Sequence, residues 1–295
     1  MSALDLQSEW AGLLMDSLAK SGLRDVVVSP GSRSTPFVLA ATRQPELRCW
    51  DVIDERSAAF FALGQARASG RPSLLLCTSG TAGAHYLPAL AEAALSFTPV
   101  LVLTADRPLE LQGCGAPQTV DQVKLYGDHV RGFFDVGLPE ALPAALRALR
   151  RTAAQAIHLS RWPTPGPVHL NARARKPLES RPAAEEQERE AAELIRTLEG
   201  AGPPKAHLPE LLPSREALDR LAQRLADAQR PLLIAGPGPL AQADARPAVE
   251  QLLRRTGAVL LRDAASQLRA RGLQGIDAFD VLVEAPPCRA GPAPD

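Results

Sequence analysis

Aromatic residues are scarce in this sequence. Phe, Trp and Tyr make up 4% of its 295 residues, too few for the stacking surfaces that hold single-stranded nucleic acid. Charge of one sign is not in excess, since 33 Lys and Arg face 33 Asp and Glu; no global field favours nucleic acid or an anionic membrane. No apolar run approaches the roughly 20 residues that a membrane span requires. The four cysteines, Cys49, Cys77, Cys114 and Cys288, lack CxxC spacing, which points to reduced thiols in the cytoplasm and away from a disulfide framework or a zinc site. His85, His129, His158, His169 and His207 include no HxH or HExxH pair and no Cys/His pairing, so no metal site is expected from this sequence alone. A GxSxG elbow is missing, which argues against serine-hydrolase chemistry. So are the Walker lysine and the GxGxxG spacing of ordinary nucleotide binders.

What is present is a hydrophobic share of 45%, enough for a core, over a length that suggests about two domains. The N-terminal stretch MSALDLQSEWAGLLMDSL is broken by acids and reads as an amphipathic helix, not a signal peptide. Helix candidates at Leu4–Ser21 (ending at Gly22, a plausible cap), Thr35–Thr42, Ser57–Ser69, Ala82–Ser96 and Pro139–His158 alternate with short apolar runs. Those runs, at Asp25–Ser29, Arg48–Ile53, Ser73–Cys77, Val100–Leu103 and Val168–Asn171, suit parallel strands covered on both faces. The expectation for residues 1–175 is a doubly wound α/β domain. Residues 176–212, charged and flanked by prolines, read as an interdomain linker carrying a surface helix. A second α/β unit is expected over 213–295, with helix Arg215–Gln229 and strands Pro231–Ala235 and Ala258–Leu261. It is too small to close a core alone, as if the sequence stopped inside its second domain. The glycine pair of AGPGPLA reads as structural and EAPPCRAGPAPD as an exposed tail.

Ligands of open α/β sheets sit beyond the carboxyl ends of the strands, so the residues after each strand are the informative ones. They are Ser29-Pro30-Gly31-Ser32-Arg33-Ser34, Asp54-Glu55-Arg56-Ser57, Thr78-Ser79-Gly80-Thr81-Ala82-Gly83, and Thr104-Ala105-Asp106-Arg107-Pro108 followed by Gly113 to Gln118. All four ends are polar and the first, second and fourth include arginine, which suggests an anion site. Plainer readings stand beside this one. Ser34 can cap the next helix, Asp54 or Ser57 can cap theirs with Glu55 complementing the dipole, and TSGTAG can be an ordinary turn or a phosphate cradle.

Together, SPGSRSTP, DERSAAFFALG, TSGTA, LTADRP and CGAPQTVDQ, in this order, resemble the pyrimidine-binding domain of a thiamine-diphosphate enzyme family, the 2-succinyl-5-enolpyruvyl-6-hydroxy-3-cyclohexene-1-carboxylate synthases of menaquinone biosynthesis. The resemblance is strong over residues 5–175 and weaker beyond. It implies a decarboxylating addition of 2-oxoglutarate to isochorismate. Glu55 would be the catalytic glutamate that hydrogen-bonds the N1′ atom of the cofactor's aminopyrimidine, with Thr78 and Gly80 also at the cofactor. Ser32, Arg33, Arg107 and Gln118 would bind isochorismate and its carboxylates. It further implies Mg2+ (or Mn2+), a homodimer or higher homo-oligomer, no nucleic-acid partner and a cytoplasmic location.

Two departures stand out. Pro117 occupies a position where many members have asparagine. The GDG and NN pair that bind metal and diphosphate in the family are missing, so a C-terminal diphosphate-binding domain is expected to be absent here and activity to require a longer chain. The alternatives left open are an acetolactate-synthase-like thiamine-diphosphate enzyme and an inactive fragment with weak anion binding.

Overall fold

The structure is a computed structural model describing residues 3–202, 209, 211–236, 246–266, 268–269 and 273–284. Most of AGPGPLA, nearly all of the expected tail, His207 and Cys288 lie outside the described residues. The chain divides into two compact units, Met1–His207 and Leu208–Asp295.

Six parallel strands form the sheet of the first unit: β1 (Asp25–Val28), β2 (Arg48–Asp51), β3 (Ser73–Cys77), β4 (Val100–Asp106), β5 (Gly132–Gly137) and β6 (Val168–Arg173). Their order is β2-β1-β3-β4-β6-β5. The four inner strands are buried at every residue, as their apolar runs require once both faces are covered. Alternate residues divide between two cores. Val26, Val28, Leu74, Leu76, Leu101 and Leu103 face α1 (Leu6–Lys20), α2 (Thr35–Arg43) and α5 (Pro143–Arg161). Val27, Leu75, Cys77, Val100 and Val102 face α3 (Glu55–Ser69) and α4 (Leu87–Leu95). Strand β5 was not expected from sequence. Its GFFDVG has two glycines and an aspartate and is only partly buried, so an edge position beside β6 makes it a strand where local pattern does not.

The connections position the site. The segment after β1 leads to α2 on one face, while the segment after β3 leads to α4 on the other. Neighbouring strands whose connections part in this way leave a crevice at their carboxyl ends.

Residues 176–212 differ from the expected linker. They contain α6 (Glu186–Gly200), opened by a capping box between Glu185 and Glu188. Ala191, Ala192, Ile195 and Leu198 are buried, spaced as one helical stripe. Ile195 and Leu198 enter the same core as α1, and Lys20 Nζ donates to Glu199 O at 2.8 Å. The charged residues that suggested a linker are the solvent face of an amphipathic helix belonging to the first unit.

In the second unit, α7 (Arg215–Asp227) precedes β7 (Leu232–Ala235), and α8 (Arg246–Thr256) precedes β8 (Val259–Arg262). The two strands pair in parallel from Leu232↔Val259 to Ala235↔Arg262. Arg262 secures the following chain, donating to Asp277 at 2.8 Å and to the carbonyls of Leu268 and Gly275 at 3.2 and 3.3 Å. The last described helix is α9 (Phe279–Glu284). Among the described residues, no helix is long and apolar enough to cross a membrane.

Because Ile195 is fully buried, Ile195→Ala should destabilise the first unit by about 2–5 kcal/mol, the usual cost of a core cavity. Urea unfolding measures it. A loss below about 0.5 kcal/mol, as for a surface substitution, would return α6 to the status of a linker helix.

Candidate active site

The crevice begins with a backbone contact. A Cβ on Gly31 would lie 2.4–2.9 Å from three side-chain atoms of Thr78, so only glycine lets the loop after β1 approach the loop after β3 this closely. Thr78 Oγ1 accepts from the Arg33 N–H at 3.2 Å, locking the two loops together. The Ser34 hydroxyl donates to Gly31 O at 2.8 Å and does not cap α2, so the capping role considered for Ser34 does not hold. The Ser32 side chain is exposed and makes no hydrogen bond within the described residues.

Arg33 is 4% exposed, with Nη1 donating to Ala174 O at 2.7 Å. Burial lowers its pKa first, the nearby Arg107 guanidinium lowers it further, and Asp106 opposes both. The group remains a cation, as arginine does in proteins, and its two charged influences are Arg107 and Asp106.

Ser79 joins the remaining pieces. Its hydroxyl accepts from Arg107 Nε at 3.2 Å and donates to Gln118 O at 3.3 Å. Gln118 Nε2 donates to Ser79 O at 3.1 Å. Gln118 has φ +55°, a left-handed conformation that costs a non-glycine residue free energy unless its surroundings hold it. Gly80, at φ +89°, sits beneath it, and a Cβ there would meet Gln118 Cγ at 2.9 Å. The Gly80 N–H turns inward to Gln122 Oε1 at 2.9 Å. At that amide TSGTAG is a turn and not a phosphate cradle.

Glu55 opens α3. Asp54 is the cap, accepting from the Ser57 N–H at 2.8 Å; that bond, followed by Arg56, holds its carboxyl below the usual range. The Glu55 carboxylate is half-exposed and has no hydrogen bond or ion pair within the described residues. Burial pushes the Cys77 thiol up to about 12, a Tyr86 hydrogen bond opposes this, and Glu55 adds to the rise. No bond joins Glu55 to either arginine. What relates them is β3, since Glu55 acts on Cys77 and Arg33 meets Thr78, the next residue.

Sequence reading missed the buried polar network below. Thr104, Asp106, His169, Asn171 and Arg173 are buried on one face of β4 and β6, where the segment 107–131 lies in place of a helix. Thr104 Oγ1 donates to Asn171 Oδ1 at 2.8 Å, so the His169 Nε2–H donates to Thr104, also at 2.8 Å. Asn171 Nδ2 donates to Asp106 Oδ2 at 2.9 Å, and Asp106 Oδ1 accepts from the Arg107 N–H at 2.7 Å. Arg173 ion-pairs with Asp135. The alternation of β6, VHLNAR, was the available signal: polar residues at every second position of an inner strand require a polar cover.

His169 is fully buried against Tyr126 and Phe133, and burial lowers its pKa from 6.5 to about 3. The folded state therefore favours the neutral ring. Its contribution to stability is complete above pH 6.5 and is lost as pH falls toward about 3, because the unfolded chain takes up the proton first. Urea midpoints across this range should decline more steeply for the wild type than for His169→Gln. Parallel declines would show that His169 does not set the acid response.

Residues 9–125 match the thiamine pyrophosphate enzyme, N-terminal TPP binding domain. The chain is 49% identical to the 2-succinyl-5-enolpyruvyl-6-hydroxy-3-cyclohexene-1-carboxylate synthase of Sorangium cellulosum, over 100% of this chain and 49% of that protein. It is 44% identical to the synthase of the same name from Myxococcus xanthus, over 92% of this chain and 46% of that protein. For the Geobacillus kaustophilus synthase the identity is 44%, over 90% and 44% of the two chains. The chain thus spans about half the length of the curated relatives it matches. A parallel α/β sheet bears the matched thiamine pyrophosphate enzyme N-terminal domain, and the chain is similar to about half the length of the 2-succinyl-5-enolpyruvyl-6-hydroxy-3-cyclohexene-1-carboxylate synthases.

Proposed function

We propose that the chain supplies the pyrimidine subsite and the isochorismate subsite of a decarboxylating addition of 2-oxoglutarate to isochorismate, giving 2-succinyl-5-enolpyruvyl-6-hydroxy-3-cyclohexene-1-carboxylate. The observation that carries this reading is that Arg33 and Arg107 are held by adjacent residues of one loop, the Arg33 N–H by Thr78 Oγ1 and Arg107 Nε by the Ser79 hydroxyl, with Asp106 accepting from the Arg107 N–H. Two guanidiniums so placed suit a dianion, which arginine's planar fork meets bidentately. Both substrates are dianions. The free Ser32 hydroxyl and the exposed Gln118 amide would take the remaining polar groups of isochorismate. Relatives sharing one synthase name favour this reading over an acetolactate-synthase-like enzyme.

Glu55 is the catalytic residue in this reading. Among the described residues its carboxylate has no competing partner, and the neutral Cys77 thiol and Tyr86 phenol nearby provide a weakly polar floor. It would hold a proton against N1′ of the aminopyrimidine and exchange it there. Thr78 is fixed by the Arg33 N–H, and Gly80 would leave room at the cofactor by having no side chain. Thiamine diphosphate, when bound, supplies the electron sink for the carbanion. Among the described residues no group of three or more His, Cys, Asp or Glu could hold a metal. We therefore assign Mg2+ (or Mn2+) and diphosphate binding to the part of the relatives that this sequence does not span, and residues 213–295 to the front of a central α/β domain. Ile53 just before α3 and Phe60 and Phe61 along it are exposed apolar side chains, which suit a homodimer or higher homo-oligomer of a cytoplasmic enzyme.

Glu55→Gln in the full-length protein should slow deuterium exchange at the thiazolium C2, followed by NMR, by about a hundredfold to ten-thousandfold. Unchanged exchange would remove Glu55 from the mechanism. Arg33→Lys and Arg107→Lys keep the charge but lose the fork, so each should raise the KM for isochorismate more than that for 2-oxoglutarate. Equal effects on both would mean that the arginines serve another ligand.

A further inference from the structure

Gln122 lies in the segment after β4 and is 1% exposed. Both ends of its amide are engaged. Oε1 accepts from the Gly80 N–H at 2.9 Å, while Nε2 donates to Asn171 Oδ1 at 3.0 Å and to Ala105 O at 3.4 Å. One end therefore grips the turn after β3, and the other grips the ends of β4 and β6. That turn is the support for two groups of the crevice, because Ser79 holds Arg107 Nε and both the carbonyl and the amide of Gln118. Gly80 also lies against Gln118 Cγ with no room for a Cβ, so a shift of the turn passes directly to Gln118.

We propose that Gln122 is a positioning residue for the crevice: it fixes the Ser79–Gly80 turn and through it the aim of Arg107 and Gln118. A residue of the same volume without the amide would fill the space but leave the buried Gly80 N–H unpaired. An unpaired buried donor is costly, so the turn would rotate toward another acceptor and carry Ser79 with it. A glutamine is needed because one side chain must accept from the turn and donate to the strand ends at once. The fixing of the turn stands on hydrogen bonds alone; its effect on substrate rests on the isochorismate reading above.

The test uses Gln122→Met, which keeps the volume, and Gln122→Asn, which keeps an amide for Asn171 but falls short of Gly80. Amide exchange by NMR on the full chain should accelerate at Gly80 by about tenfold in both variants, the loss of one hydrogen bond. Amides of α1 and α5 should keep wild-type protection. Unchanged exchange at Gly80, or equal acceleration throughout the sheet, overturns the proposal. In turnover by the full-length protein, Gln122→Asn should raise the KM for isochorismate by more than it lowers kcat, leaving the KM for 2-oxoglutarate unmoved. If Arg107→Lys raises the isochorismate KM and Gln122→Asn does not, the positioning role is wrong. If neither raises it while Gly80 exchange accelerates, the clamp stands and the isochorismate reading fails.

Discussion

The crevice depends on one close approach, the packing of Gly31 backbone against the Thr78 side chain. Connections that leave β1 and β3 for opposite faces of a sheet open a gap between them, and a gap alone holds no geometry. Here Gly31 admits Thr78 at a distance that a methyl group would forbid, and the Arg33 N–H closes the contact on Thr78 Oγ1. Arg33 is then fixed at both ends, by its own backbone and by Ala174 O. The first loop becomes part of the floor of the third, and a cation that would otherwise sample many rotamers is aimed before any ligand arrives.

That aim is supported by burying polar groups and satisfying them. Burial of an unpaired donor or charge is expensive, so a polar network inside a core is tolerable only when its members are matched. Thr104, Asn171, Asp106 and Gln122 form such a chain, with each amide and hydroxyl used in both directions. Two positions are left open: His169 Nδ1 and Arg173 Nε have no hydrogen-bond partner among the described residues. For His169 burial is the reason the neutral ring prevails, since a second proton on the open Nδ1 would put a charge among Tyr126 and Phe133. Arg173 has its charge balanced from Asp135 and, at 3.8 Å, from Asp106, so the open Nε costs a hydrogen bond and not an ion pair.

Electrostatics separates the two sides of the crevice. On one side lie Arg33 and Arg107, a cationic pair whose mutual repulsion an anion would relieve. Toward the α3 face lies Glu55, a carboxylate without hydrogen bond or ion pair among the described residues, near a thiol and a phenol that burial keeps neutral. Opposite charges this close in sequence motifs could have neutralised one another. They do not because Glu55 starts a helix on the α3 face, whereas Arg33 leads into α2 on the other face.

The sequence by itself determined the parallel α/β architecture of the first unit and the edge of the sheet at which its polar loops gather. Inner strands such as SLLLC and VLVLTAD are apolar without interruption because both faces are covered, and their polar ends mark where the cover stops. It also marked Asp54 and Ser57 at the start of α3, since a cap is settled within a few residues. Tertiary structure alone decided which polar residues meet. The register Thr104↔Asn171 brings together residues far apart in the chain. Gln122 reaches Gly80 only because a long irregular segment folds back over β4 and β6. The edge strand β5 and the burial of α6 have the same origin: their patterns are weak or mixed locally, and pairing with β6 and packing beside α1 supply the free energy that local propensity lacks.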